Sequence, residues 1–494
     1  MKTIQYKNIL CILSFVVLLA SGCRKDEVVV PEVIPPATKV NTFIWNGLHD
    51  YYLWTKDVPD LNASKFANTD TLNAFLNHYS DPQKLFTSLL YKYEEIDRWS
   101  FMVDESKTID NWISGISKTM GYDFRLGRIG DSNNLFGFVR YVYKGSPAEK
   151  AGLKRGDAFI TVNGQQLTVS NYQTLLFATE TYNLGFAVIS NHTISPSNKF
   201  LFMTAVEMQE NPIELDTVFV VKNMKIGYLV YNGFNSDFDI ELNNVIKKFQ
   251  YANIDQMVLD LRYNGGGSVQ SCIYLASMLY GTNTSKIFAR AQYNSELQSY
   301  LVDQYGANAL SDNFTDKIEK TNTSIETSIN TLNLKKIYII VSDNTASASE
   351  LLINGLKPYM NVKIIGINTE GKYTGSTTIK DWDKDGNVNP DNDYAMQPII
   401  VKYANSLGIS DFVDGLTPDI KAEEDIANLL PFGDPNEKLL KVVLDDMQGL
   451  PITSQVLKSA QFGLRKFADS RDFKPYVNEM YVNPIHLKFK NPDR

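Results

Sequence analysis

Apolar and polar positions fall into three successive patterns along the chain. Between residue 40 and about 112, large apolar side chains recur at helical spacing, as in Phe43, Trp45, Leu48 and Tyr51-Tyr52, with few strand signals. That spacing predicts a small helical domain over 41–114. Over 115–205 the pattern changes to short β-rich runs broken by Gly and Pro, as in LFGFVRYVYKGSPAEKAGLKRGDAFITVNGQQL. Pro147 is placed to open a short helix, Gly152 to close it, and Ala158 to Val162 reads as a strand before an Asn163-Gly164 turn.

Over 206–430, strands and helices alternate. KIGYLVYNGF reads as a strand, and SDFDIELNNVIKKFQ as a helix with Leu242, Val245, Ile246 and Phe249 on one face. QMVLDLRYNGGGS is a buried strand running into a glycine loop, and KKIYIIVS and VKIIGINT are further strands. The rhythm predicts a multidomain α/β chain whose core sheet is largely parallel, with functional residues at the carboxyl ends of strands. Residues 431–494 read as a C-terminal helical tail, with EKLLKVVLDDM as its helix.

At 494 residues the chain is too long for one core. A net charge of −8 without a basic stripe gives no footprint for nucleic acid. The first residues, MKTIQYKNILCILSFVVLLASGC, carry two early lysines, an apolar stretch from Ile9 to Ala20, and then small residues. The stretch is too short to span a bilayer. It resembles a bacterial lipoprotein signal peptide over 1–22, which implies Cys23 as the lipidated residue and a membrane partner reached through acyl chains. Residues 23–40 then read as a tether. Asp26-Glu27 after Lys25 resembles an export tag of Bacteroidetes surface lipoproteins, so the expected location is the cell envelope, at the outer membrane, facing the periplasm or the surface. With Cys11 removed and Cys23 lipidated, Cys272 is alone and no disulfide forms in the mature chain.

The stretch SDNTASASELLINGLKPY directly follows the apolar run IYIIV. Its hydroxyls can serve as plain helix caps, or Ser347 can be a nucleophile presented at a helix N-terminus. Of four histidines, His49 and His78 lie in the helical region, His192 in a polar loop and His486 in the tail. None adjoins a strand end of the α/β core, so a Ser-His-Asp mechanism lacks its base and a histidine zinc site is unsupported. Lys372, in TEGKYTGS after the strand VKIIGI, is the candidate base. Lysine ordinarily titrates at about 10.4, and desolvation lowers that value. The Ala348 N–H at the helix start and the backbone of Gly265, Gly266 and Gly267 can approach a developing oxyanion.

DLRYNGGG, TASASELLINGL and GKYTGS resemble the three core motifs of the C-terminal processing, or tail-specific, serine peptidases of family S41. The resemblance implies a ClpP/crotonase-like α/β core, Ser347 as nucleophile, Lys372 as base, and Ala348 and Gly266 as oxyanion donors. It implies no cofactor, and a supporting place for Ser349 and Glu350. Ser376 stands where the family often has a glutamine that orients the lysine. The Gly/Pro-punctuated region resembles a PDZ domain, which implies a peptide-binding loop at Gly121, Tyr122, Asp123 and Phe124. Asp260 and Arg262 read as structural partners at a strand end.

DWDKDGNVNPDND has Asp381, Asp383 and Asp385 at alternate positions with Gly386 sixth, the opening of a calcium loop. Asn392 stands at the twelfth position, where such a loop needs an acid, so a solvated turn is the better reading. The expected function is a serine endopeptidase acting on envelope or extracellular proteins through an acyl-enzyme, its partner a protein or peptide substrate. The alternative is a non-catalytic surface lipoprotein that binds peptide or glycan on the same scaffold.

Overall fold

The computed structural model describes residues 34–190, 193–319, 326–382, 387–426, 428–452, 466–473 and 478–485. The signal segment, Cys23, Asp383 and Asp385 lie outside the described residues. No helix among the described residues is long and apolar enough to cross a membrane.

The helical region opens with Lys39–Tyr51, capped by the Thr38 side chain, and continues through Thr69–Asn77 and Pro82–Ser88. Ile44, Trp45 and Leu48 form its buried face, which joins the core of the α/β region directly. The helical region therefore shares one core with the α/β region.

The β-rich region forms a sheet in which Tyr122–Arg128, Leu135–Val142, Ala158–Val162 and Thr181–Ser190 are neighbours. The short helix Pro147–Lys150 is capped by Ser146, and Gly152 follows at φ +85°. The helix Tyr172–Phe177 belongs to the same module.

The central sheet runs Ile213–Val221, Met224–Tyr231, Gln256–Asp260, Lys336–Val341, Asn361–Gly366 and Ile420–Lys421. The first pair is antiparallel and the rest are parallel, so the carboxyl ends of Gln256–Asp260, Lys336–Val341 and Asn361–Gly366 emerge side by side. Behind this edge Arg262 is fully buried and bonded to Asp260 and Glu437.

The tail departs from its helical expectation. Lys438–Met447 is a helix, but Lys466–Asp469 and Met480–Tyr481 are strands. The first joins the edge of the PDZ-like sheet. The second lies between Gly267–Ser268 and Thr374–Ser376 in a second six-stranded sheet. These strands are short and pair with edges hundreds of residues away, so no local period announces them.

Candidate active site

Ser347 lies beyond the strand Lys336–Val341 and caps the helix Ala348–Leu356. Its backbone adopts φ +65°, ψ −117°, which a residue bearing a Cβ seldom enters. Neighbouring bonds hold that geometry: the Ala346 N–H donates to the Asn264 carbonyl at 3.1 Å, and the Ser349 hydroxyl donates to the same oxygen at 3.1 Å. Ser349 thus works behind the nucleophile candidate. The capping box of Ser347 and Glu350 closes on the carboxylate side, where the Ser347 N–H donates to Glu350 Oε2 at 2.8 Å. The Ser347 Oγ is buried and makes no hydrogen bond of good geometry. A plain cap would have spent that oxygen on the helix amides.

Lys372 follows the next parallel strand. Its N–H donates to Glu350 Oε2 at 2.9 Å, and the Gly371 N–H donates to Oε1 at 2.8 Å. One carboxylate therefore clasps both strand ends. Burial pushes that carboxyl up to about 7, against the four donors that favour its charged form. The Lys372 side chain is fully buried and lies over the Trp99 ring at 5.1 Å. Burial lowers its pKa, opposed chiefly by the Glu479 carboxylate at 2.8 Å. The same burial lifts Glu479 up to about 7, with Lys372 pulling the other way.

Ser376 does not bond Lys372 itself. Its hydroxyl donates to Glu479 Oε2 at 3.1 Å and accepts from Gln397 at 2.9 Å. The serine is shorter than a glutamine, and the tail's Glu479 occupies the reach it leaves. Glu479 and Trp99 escaped sequence reasoning because both arrive from other domains. Only the shortened residue at 376 hinted that something else must meet the amine.

Gly266 packs on the nucleophile candidate: at φ +110°, a Cβ there would stand 2.7 Å from Ser347 Cβ and 3.0 Å from the Ala348 nitrogen. The Gly266 N–H, however, donates to the Asn264 side chain at 2.9 Å in an Asx turn. As an oxyanion donor it would have to leave that acceptor, so its sequence-based role needs the Asn264 side chain to move. Ala348 opens the helix beside it. A cavity of about 410 Å³ adjoins Gly265, Gly266 and Gly267 and is walled by Trp112, Glu479 and Tyr481, while Ser347 and Lys372 do not reach it.

Gly121, Tyr122, Asp123 and Phe124 lie together at the start of the PDZ-like edge strand, but they do not face solvent. Asp123 is fully buried and paired with Arg140 and Arg471. The Asp381 carboxylate accepts from the Asn389 and Asn392 amides at 2.9 and 3.1 Å, and Trp382 bridges Val388. No cluster of metal-ligating side chains occurs among the described residues.

Three family patterns match the chain in succession. The Peptidase S41 N-terminal domain matches residues 39–101, a PDZ domain 138–180 and Peptidase family S41 225–422. The chain belongs to peptidase family S41. A Staphylococcus aureus (strain N315) relative named as a CtpA-like serine protease is 25% identical over 412 residues, covering 80% of this chain and 75% of its own length. The carboxy-terminal processing protease CtpA of Bacillus subtilis (strain 168) is 26% identical over 300 residues, 60% of this chain and 55% of its own. The crystal structure of a protein described as an S41 protease of Bacteroides fragilis is 25% identical, with a TM-score of 0.64 over 83% of this chain and 97% of its own. This S41 serine peptidase thus has the N-terminal domain, PDZ domain and protease core of the family, and acts on protein or peptide.

Proposed function

We propose that this peptidase cleaves envelope or extracellular proteins by a Ser347–Lys372 mechanism, anchored at the outer membrane through a lipidated Cys23. The observation that carries the mechanism is the shared clasp: both residues follow adjacent parallel strands, and their amides meet on one Glu350 oxygen. In its neutral form the buried Lys372 amine takes the Ser347 hydroxyl proton as Oγ attacks the peptide carbonyl. The resulting ammonium then protonates the departing amine, leaving an ester on Ser347, which water hydrolyses with Lys372 again as base. The Ala348 N–H supports the developing oxyanion from the helix start. Burial supplies the lowered pKa that such a base needs, and Trp99 keeps water from one side of the amine.

The test is cleavage of an unstructured protein such as casein by Ser347→Ala and Lys372→Ala. Each is expected to lose roughly a thousandfold or more in kcat/KM while remaining folded at the assay pH. Retained cleavage in either folded variant contradicts the mechanism.

A further inference from the structure

The C-terminal segment enters both peptide-handling places of the molecule. Lys466–Asp469 adds antiparallel to the PDZ edge strand, with Asp469 opposite Arg125 and Ala468 opposite Leu126. Phe467 and Phe473 pack against Tyr172 at 5.3 and 5.5 Å, and Phe473 stacks on Phe177 at 4.2 Å, both partners lying on the helix Tyr172–Phe177. The Phe124 N–H donates to the Ser470 hydroxyl at 3.2 Å. An extended peptide between an edge strand and a helix is a strand-addition ligand. Here the chain supplies it.

Asn478–Tyr481 does the same beside the protease site. Met480 and Tyr481 pair with Gly267 and Ser268, and Tyr481 also pairs with Ser376. The Glu479 carbonyl abuts Gly266, and its carboxylate meets Lys372. Ser347 and Lys372 are fully buried, and the cavity beside the glycine loop is walled by Glu479 and does not reach either. No carbonyl can reach Ser347 while this strand is seated.

We propose that Lys466–Phe473 and Asn478–Tyr481 are resident intramolecular ligands, holding the PDZ groove and the substrate strand position until an extended peptide displaces them. The ligand class follows from what the groove holds: an aromatic residue, an acid two positions on, and a further aromatic. The second half rests on the Ser347–Lys372 reading, and the first does not. Seated, the Glu479 carboxylate favours the Lys372 ammonium and opposes its loss of a proton. Its departure leaves burial opposed only by the weaker pull of Asp97 and Glu350, so the amine gives up its proton more readily.

The test uses the full chain. A fluorescein-labelled peptide of residues 466–473 is expected to bind Phe467→Ala/Phe473→Ala at least roughly tenfold tighter than wild type by anisotropy. If that variant does not fold, Phe473→Ala alone is measured the same way. Glu479→Gln is expected to speed labelling of Ser347 by a fluorophosphonate several-fold. A folded tail variant that binds no tighter than wild type overturns the displaceable ligand. Slower labelling in Glu479→Gln overturns the latch and makes Glu479 a positioning residue for the base. Absence of labelling in wild type and variant alike indicts the Ser347 reading, and peptide binding then decides the proposal alone.

Discussion

The backbone amides of Ser347 and Lys372 donate to the same oxygen, Oε2 of Glu350, at 2.8 and 2.9 Å. The other oxygen accepts from the Gly371 N–H and the Thr369 hydroxyl. A glutamine has one accepting atom and one donating group, so Glu350→Gln must turn an NH₂ toward amides that also donate. The expected result is a loss of roughly 10- to 100-fold in kcat, with KM little changed, because alignment rather than binding is disturbed. Steady-state kinetics on a peptide substrate checks it.

Glu350 also makes a pH prediction. Its folded-state pKa, about 7, exceeds the ordinary carboxyl value of 4.5, so the folded protein holds this proton more tightly than the unfolded chain. The stabilisation is fully present below the unfolded value and is lost as pH rises through the folded one. The stability of wild type relative to Glu350→Gln is therefore expected to fall between about pH 5 and about pH 8, as read from urea melts.

The strained backbone at Ser347 gives a stability prediction opposite in sign to activity. A non-glycine residue at φ +65°, ψ −117° stores on the order of 1–3 kcal/mol, and glycine recovers most of it less about 0.5–1 kcal/mol of chain entropy. Ser347→Gly is expected to be inactive yet more stable than wild type by about 1 kcal/mol in denaturant titration. A destabilised glycine variant would mean that the turn is relaxed in the folded state.

Lys372→Met leaves Glu479 buried without its counter-charge. The pull that holds this carboxyl down is then gone, so its folded-state value climbs further above the unfolded one. The variant is expected to match wild type near pH 5 and to lose on the order of 1–2 kcal/mol near pH 8. Adding Glu479→Gln removes the buried charge, and the double variant is expected to regain most of the loss.

Arg140 ties three parts of the chain together. It pairs with Asp123 of the PDZ sheet, donates to Asp469 of the tail at 2.6 Å, and donates to Asn344, just ahead of Ser347, at 2.9 Å. Arg140→Met leaves Asp123 only Arg471 at 3.2 Å and Asp469 only Arg125 at 3.3 Å as close cations, and is expected to cost about 3 kcal/mol at neutral pH. The guanidinium holds Asp469 well below the usual carboxylate range, so its contribution is present above the unfolded value and lost as pH falls. The penalty of Arg140→Met is therefore expected to shrink in acid.

Much of this site was legible because its parts lie at strand ends that the apolar runs mark. IYIIV and VKIIGI read as strands from their apolar runs, and the residues after them, Ser347 and Lys372, inherit adjacent positions from parallel pairing. The strand Ala158–Val162 and the helix opened by Pro147 were equally plain, since Gly and Pro bound them. What sequence could not carry is contact between distant segments. Glu479, Trp99 and the tail strands reach the site across hundreds of residues with no local pattern. Gly266 shows a finer limit: its backbone conformation calls for glycine, but whether its N–H is engaged depends on the Asn264 side chain.

The most direct measurement is acylation of Ser347 in Lys372→Arg, read by mass spectrometry of the fluorophosphonate adduct at about pH 8. Arginine keeps a positive charge at this position but cannot surrender a proton there. Wild type is expected to carry the adduct on Ser347, and the folded arginine variant to carry none. An adduct on Ser347 formed at the wild-type rate in Lys372→Arg would contradict Lys372 as the base.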